Sequence, residues 1–147
     1  MEKDILESFH RVVSYELDSF GHVNNAVFLQ FLEKARNDFM LQKGLSFADF
    51  SRWGCFPVVT KATLIYKAPA YADDPLSIKG WITDWSQTSF TLRYEIIHQE
   101  KKQLLLIGET SHVFVNANNK PTRLPAQFFE KFIPAGGKNR AAEGGSQ

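Results

Sequence analysis

One stretch of this chain carries a helical period, and nearly everything after it carries a strand period. Phe28, Phe31, Leu32, Ala35 and Phe39 recur at i, i+3, i+4, i+7 and i+11, one face of a helix over residues 26–43. Asn24 and Asn25 stand where an N-cap belongs, since an Asn oxygen can accept from the unpaired N–H groups of a first helical turn. Gly44 follows the last periodic residue, as a glycine just past a helix end would. A lone amphipathic helix buries its apolar face by lying against a sheet. Strand patterns supply that sheet at residues 8–15, 58–67, 76–85, 90–96 and 103–116, the clearest being Phe90, Leu92, Tyr94 and Ile96 alternating with Thr91, Arg93 and Glu95. The expectation is an α+β domain, a long central helix wrapped by a five-stranded antiparallel sheet.

Smaller features complete the reading. Residues 46–53 offer a Ser cap and a partial helical turn, which Gly54 and Pro57 break; residues 125–132 form a short helix with Pro at its first position. In the last strand Leu104 and Leu106 point one way and Leu105 and Ile107 the other, so apolar residues occupy both faces. That surplus calls for a second subunit or layer, or for cover by loops and the C-terminal segment.

At 147 residues, 44% apolar and 22% charged, the chain suits one globular domain over residues 1–134, with residues 135–147 too polar and glycine-rich to build a core. A formal net charge of +1 speaks against a nucleic-acid footprint or a polybasic membrane surface. Cys55 is the one cysteine, which leaves no disulfide and no Cys-x-x-Cys metal site; no metal or cofactor is expected. The first residues are charged and no apolar run reaches membrane-spanning length, so a cytoplasmic location is expected.

The loop ahead of the helix is where chemistry concentrates. Asp18 and His22 lie just upstream of a helix start, whose backbone donors and partial positive charge suit an oxyanion. The run Tyr15…Asp18-Ser19-Phe20-Gly21-His22-Val23-Asn24-Asn25…Phe28…Phe31-Leu32-Glu33-Lys34-Ala35-Arg36 resembles the N-terminal signature of hotdog-fold acyl-CoA thioesterases, in the 4-hydroxybenzoyl-CoA thioesterase-like branch. The resemblance extends over residues 8–132, through a Ser/Thr-bearing hairpin (Gln87-Thr88-Ser89-Phe90), a closing Val113-Phe114-Val115 and a Pro-led final helix. Two departures stand out: Asn116 where such proteins often carry Asp, and Phe28 where Tyr is common.

The resemblance implies hydrolysis of an acyl-CoA to a carboxylic acid and coenzyme A, with Asp18 as general base or nucleophile. Taken alone, Asp18 reads first as the residue of an Asx-turn, and it is the motif that makes function the better reading. His22 takes a supporting role, and Asn25 is a candidate for orienting Asp18 or water. Backbone N–H groups at Val23, Ala26 and Val27 are the expected oxyanion donors. Glu33 pairs with Arg36 at i, i+3 and is a secondary candidate, as are Thr88 and Ser89, whose plainer role is in the turn. Lys61, Lys67, Arg93 and Arg123 are candidates for the coenzyme A phosphates. The resemblance also implies a homodimer or homotetramer with each site at a subunit boundary. Two other classes compete: a non-catalytic acyl-binding hotdog domain, and a hotdog dehydratase, for which a different His and Asp/Glu arrangement is expected. A carrier-protein thioester is the alternative substrate.

Overall fold

The computed structural model describes residues 4–133. In chain order these form β1 (Leu6–Arg11), a single 3-10 turn (Ser14–Glu16), α1 (Asn25–Gln42), α2 (Phe47–Trp53), β2 (Cys55–Tyr66), β3 (Pro75–Trp85), β4 (Ser89–His98), β5 (Leu104–Asn116) and α3 (Ala126–Phe132). The strands make one antiparallel sheet in the order β1-β3-β4-β5-β2, which leaves β2 as an edge. The expected tail over residues 135–147 lies outside the described residues.

The long helix forms where its apolar period predicts. Asn24 caps it, its side-chain oxygen accepting from the Ala26 N–H at 2.8 Å. At the other end Gly44, at φ +77°, lets its own N–H reach the Leu41 carbonyl and the Leu45 N–H reach that of Met40. Phe28, Phe31, Leu32, Ala35 and Phe39 are all buried, each large side chain contributing roughly 1.5–3 kcal/mol. The sheet makes room for them with glycine: a Cβ on Gly80 would lie 2.4 Å from Phe39 Cε2, and one on Gly108 2.7 Å from Leu32 Cδ1. α2 begins as its Ser cap indicates, with the Ser46 N–H donating to Asp49 Oδ2 at 2.7 Å.

Four local expectations change. The first strand stops at Arg11, where the regular pairing ends: the Val12 N–H still donates to the Asp74 carbonyl at 3.0 Å, but the Val12 carbonyl accepts from the Asp73 N–H at 2.9 Å instead of from Asp74. Beyond it the Val13 N–H donates to Glu16 Oε1 at 2.8 Å, and His10 Nε2 meets the same carboxylate at 2.9 Å, folding residues 14–16 into a turn. Pro57 does not break structure; it sits inside β2 opposite Phe114, tolerated because an edge strand has one unpaired side. The alternation of Leu104 to Ile107 is interrupted, since pairing steps from Ile96–Leu106 to Ile97–Leu104. Leu105 is the extra residue of that bulge, and it and Leu106 are both buried. Pro125 caps α3 rather than opening it, its carbonyl accepting from the Phe129 N–H at 2.9 Å.

Candidate active site

The loop between the 3-10 turn and α1 is a tight polar knot. The Asp18 N–H donates to the His22 carbonyl at 2.7 Å, and the Gly21 N–H returns to the Asp18 carbonyl at 3.1 Å. Gly21 makes this path possible at φ +80°, a region costly for any residue with a Cβ. The Asp18 carboxylate takes part through one oxygen: Oδ1 accepts from the Phe20 N–H at 2.9 Å and the His22 N–H at 3.2 Å. Among the described residues nothing donates to Oδ2. So Asp18 is an Asx-turn residue through one oxygen and open through the other.

Backbone bonds pin the knot in place. The Asn24 N–H donates to the Glu16 carbonyl at 3.1 Å and the Val23 N–H to the Ala70 carbonyl at 2.9 Å, tying the loop to the segment that leaves β2. A cavity of about 260 Å³ results, with Asp18, His22, Asn25, Phe28, Tyr66 and Lys67 among its walls. The His22 ring stands edge-on to Tyr71 at 5.1 Å, a positioned neighbour of Asp18 rather than a partner of its carboxylate.

Three expected oxyanion donors are already engaged. Val23 is committed to Ala70, Ala26 to the Asn24 side chain at 2.8 Å, and the Val27 N–H to the Asn24 carbonyl at 2.9 Å. The reason is the cap itself: Asn24 accepts with both its side chain and its backbone. That leaves the Asn25 N–H, at the first helical position, with no partner among the described residues. The Asn25 carbonyl accepts from the Tyr66 hydroxyl at 2.9 Å, and the Tyr66 ring lies edge-to-face with Phe28 at 5.7 Å. Tyr66 escaped sequence reading, because the last residue of an apolar strand gives no sign of which cavity it reaches.

The other candidates scatter. Lys67 alone of the four basic residues lines the Asp18 cavity. Lys61 lies mid-strand on β2 opposite Ser111, Arg93 on β4 between Trp81 and Glu109, and Arg123 is exposed ahead of α3. Thr88 and Ser89 belong to the β3–β4 turn: the Ser86 and Ser89 hydroxyls bond at 2.5 Å, and the Phe114 N–H donates to the Thr88 carbonyl at 2.9 Å. Ser89 lies opposite Val113, which itself faces Val58, so the turn sits at the start of β2, away from Asp18.

Near that start of β2 is a second, larger cavity of about 640 Å³. Met40, Phe47, Phe50, Cys55 and Phe56 give it an apolar wall, and Glu33, Arg36 and Asn37 of α1 a polar one. Arg36 pairs with Glu33 and donates to the Tyr94 hydroxyl at 3.2 Å. A polar chain continues into the core, Tyr94 to Thr110 at 2.7 Å and Thr110 to His112 Nε2 at 2.8 Å. Burial, with the Arg36 charge adding to it, pushes the His112 imidazole down to about 3, so it is neutral. Among the described residues no group of three or more His, Cys, Asp and Glu side chains could hold a metal ion, and no helix is long and apolar enough to cross a membrane.

A sequence profile of the thioesterase-like superfamily matches residues 12–132. The chain belongs to that superfamily. Its relatives include an acyl-CoA thioester hydrolase of Escherichia coli O6:H1, 32% identical over 123 residues, 83% of this chain and 91% of that one. A chloroplastic acyl-acyl carrier protein thioesterase of Arabidopsis thaliana is 25% identical over 132 residues, 87% of this chain and 70% of that one. Among solved structures, a 1,4-dihydroxy-2-naphthoyl-CoA thioesterase from Synechocystis superposes with a TM-score of 0.84 at 25% identity, covering 91% of this chain and 99% of the other. The fold of this thioesterase is thus the hotdog fold, as the loop-and-helix signature implied, and the enzyme class is thioester hydrolysis.

Proposed function

We propose that this thioesterase hydrolyses an acyl-CoA at the Asp18 cavity, giving a carboxylic acid and free coenzyme A. The observation that supports this is a cavity lined by both Asp18 and Asn25, where among the described residues nothing donates to Asp18 Oδ2 and the Asn25 N–H has no acceptor. Asp18 takes a proton from water as the water adds to the thioester carbonyl, or adds to that carbonyl itself. The Asn25 N–H, backed by the helix start, receives the negative charge that develops on oxygen. The thiolate then leaves and collects the proton that Asp18 took from water. Where Asp18 itself has added, thiolate loss leaves a mixed anhydride; water cleaves it to the carboxylic acid and the free Asp18 carboxylate, its second proton going to the thiolate. Tyr66 fixes the helix start through the Asn25 carbonyl, and Lys67 is the basic residue best placed for the coenzyme A phosphates.

The acyl group belongs in the larger cavity, and a second copy of the chain brings it there. β2 is an exposed edge of 12 residues, roughly 36 Å long, bearing Phe56, Val59, Ile65 and Tyr66 at the surface. Its first residues line the large cavity and its last the Asp18 cavity. Antiparallel pairing of β2 with its copy sets each large cavity beside the other chain's Asp18, in a dimer or a dimer of dimers.

A thiol-trapping assay over a panel of acyl-CoA substrates, with an acyl carrier protein thioester included, tests the reaction. Thiol release from at least one acyl-CoA is expected. The similarity to the Arabidopsis enzyme supports the carrier-protein arm as a second substrate source. No thiol release from a folded protein on any substrate, or new double-bond absorbance in its place, refutes hydrolysis. Light scattering showing only monomer at micromolar concentration refutes the paired site.

A further inference from the structure

The Asp18 loop is held at its neck as well as at its tip. Residues 16–18 and 22–24 run antiparallel there. The Asn24 N–H donates to the Glu16 carbonyl at 3.1 Å, Leu17 bridges Val23, and the Asp18 N–H donates to the His22 carbonyl at 2.7 Å. One side of the neck thus carries Asp18, and the other ends on Asn24, whose oxygens fix the helix start beside the Asn25 N–H. Two contacts tie this neck to the sheet. One is backbone, the Val23 N–H on the Ala70 carbonyl. The other is made by side chains: His10 Nε2 of β1 lies 2.9 and 3.0 Å from the two carboxylate oxygens of Glu16.

Chemistry settles the direction of that second contact. Glu16 Oε1 already accepts the Val13 N–H at 2.8 Å, and a carboxylate only accepts, so His10 donates through its Nε2–H. The pair is enclosed, with the His10 side chain 17% exposed and that of Glu16 11%. The His10 ring also lies against Phe31 of α1, centroids 4.6 Å apart. Stability alone does not call for such a pair, because apolar side chains of similar volume often fill an enclosed site as well or better. What they cannot do is fix the direction of a carboxylate, and with it the backbone of Glu16, two residues before Asp18.

We propose that His10 and Glu16 are positioning residues for the reaction. By anchoring the neck of the loop to β1 and α1, they set the Asp18 carboxylate against the Asn25 N–H. Neither lines the Asp18 cavity, so both act through the backbone of residues 16–24. The inference rests on the reading that hydrolysis takes place at Asp18.

The test compares wild type with two variants of the full chain. His10→Phe keeps a ring against Phe31 but has no donor, and His10→Gln carries an amide nitrogen that can reach the place of Nε2. Misplacing a reacting group by ~1 Å can cost ~100-fold, so His10→Phe is expected to lose about 10-fold or more in kcat with KM little changed, and His10→Gln to recover most of it. Amide hydrogen exchange supplies a readout independent of turnover. In His10→Phe the amides of Phe20 and His22, which donate to Asp18 Oδ1, and that of Asn24 should exchange faster, while those in the middle of α1 do not. A merely structural pair would lower stability and leave kcat of the folded enzyme intact. Loop exchange and kcat that both match wild type overturn the proposal and leave hydrolysis at Asp18 standing. So does a kcat loss without faster loop exchange, or one that His10→Gln does not repair. Faster loop exchange with unchanged kcat upholds the anchoring and refutes the placement of the chemistry at Asp18. A wild type that cleaves nothing refutes hydrolysis, and loop exchange alone then decides the anchoring. Where His10→Phe fails to fold, nitrogen NMR of the wild-type imidazole decides: a solvent-protected proton on Nε2 is expected, and an Nε2 that carries none, or one that exchanges freely, overturns the proposal.

Discussion

The two cavities of this thioesterase are built in opposite ways. The Asp18 cavity is made by backbone: a turn closed by Gly21, a helix start capped by Asn24, and a carboxylate half consumed in holding its own loop. The large cavity is made by side chains from α1, α2 and β2, with a buried polar chain reaching through to β4 and β5. Backbone donors stay fixed while charge moves, which is what a reacting carbonyl needs. Side-chain walls distinguish one acyl group from another, which is what selection needs. On the proposed reading, chemistry falls to the helix start and recognition to the helix's far half.

Removing the Asn25 N–H, which has no partner among the described residues, gives the largest effect on the chemistry side. Asn25→Pro deletes that N–H at a position proline accepts, because it is the first helical residue and Asn24 before it is already extended at φ −60°, ψ 139°. A loss of roughly 100- to 1000-fold in kcat is expected, with KM little changed. Asn25→Ala, which keeps the N–H, is the control and retains most of that kcat. Equal losses in the two variants would mean that the side chain matters and the donor does not.

The second prediction breaks the recognition side by pH. The folded His112 pKa of about 3 lies below the ordinary 6.5, so between those values the unfolded chain binds a proton that the folded one refuses. Stability therefore falls as pH drops from about 6.5 towards 3, by on the order of 1 kcal/mol per unit. His112→Leu should flatten that slope in urea titrations across pH 4 to 6.5. Asp38 and Asp49 contribute in a separate window. Burial pushes Asp38 up, but bonds from Ser8 and Lys34 outweigh it; the Ser46 N–H and then Arg52 hold Asp49 down, so both carboxyls sit below 3.8 and their stabilisation is lost only under more acid conditions. An unchanged slope in the His112 variant would contradict the buried neutral imidazole.

The smallest effect concerns the cap. Asn24→Ala frees the Ala26 N–H and is expected to cost about 1 kcal/mol in chemical denaturation. Its influence should fall on kcat rather than on acyl selectivity, since the cap shapes only the first cavity. A shift in acyl preference instead would blur the division between the two.

How much of this was legible in the sequence follows from the same contrast. The Asp18 cavity draws most of its walls from residues 18–28, one contiguous stretch whose loop, cap and helix period are all local signals. The fold was legible for the same reason, because the helix and strand periods are local and the sheet follows from having one helix to cover. Which donors were free was not, because Asn24 uses both its oxygens and Val23 pairs with Ala70 from a distant segment. The Arg36–Tyr94–Thr110–His112 chain was invisible. Tyr94, Thr110 and His112 occupy inward-facing positions of β4 and β5, where apolar residues are the default, and only the packing of α1 on the sheet shows that they and Arg36 touch.

The division of labour is tested most directly by Asp18→Asn, which keeps the side chain's shape and one oxygen for the turn but removes its charge. Single-substrate kinetics on the acyl-CoA that wild type cleaves best should show kcat reduced by at least ~100-fold with KM and the circular dichroism spectrum unchanged. A folded Asp18→Asn protein with near-normal kcat would contradict it, and would move the chemistry away from the helix start.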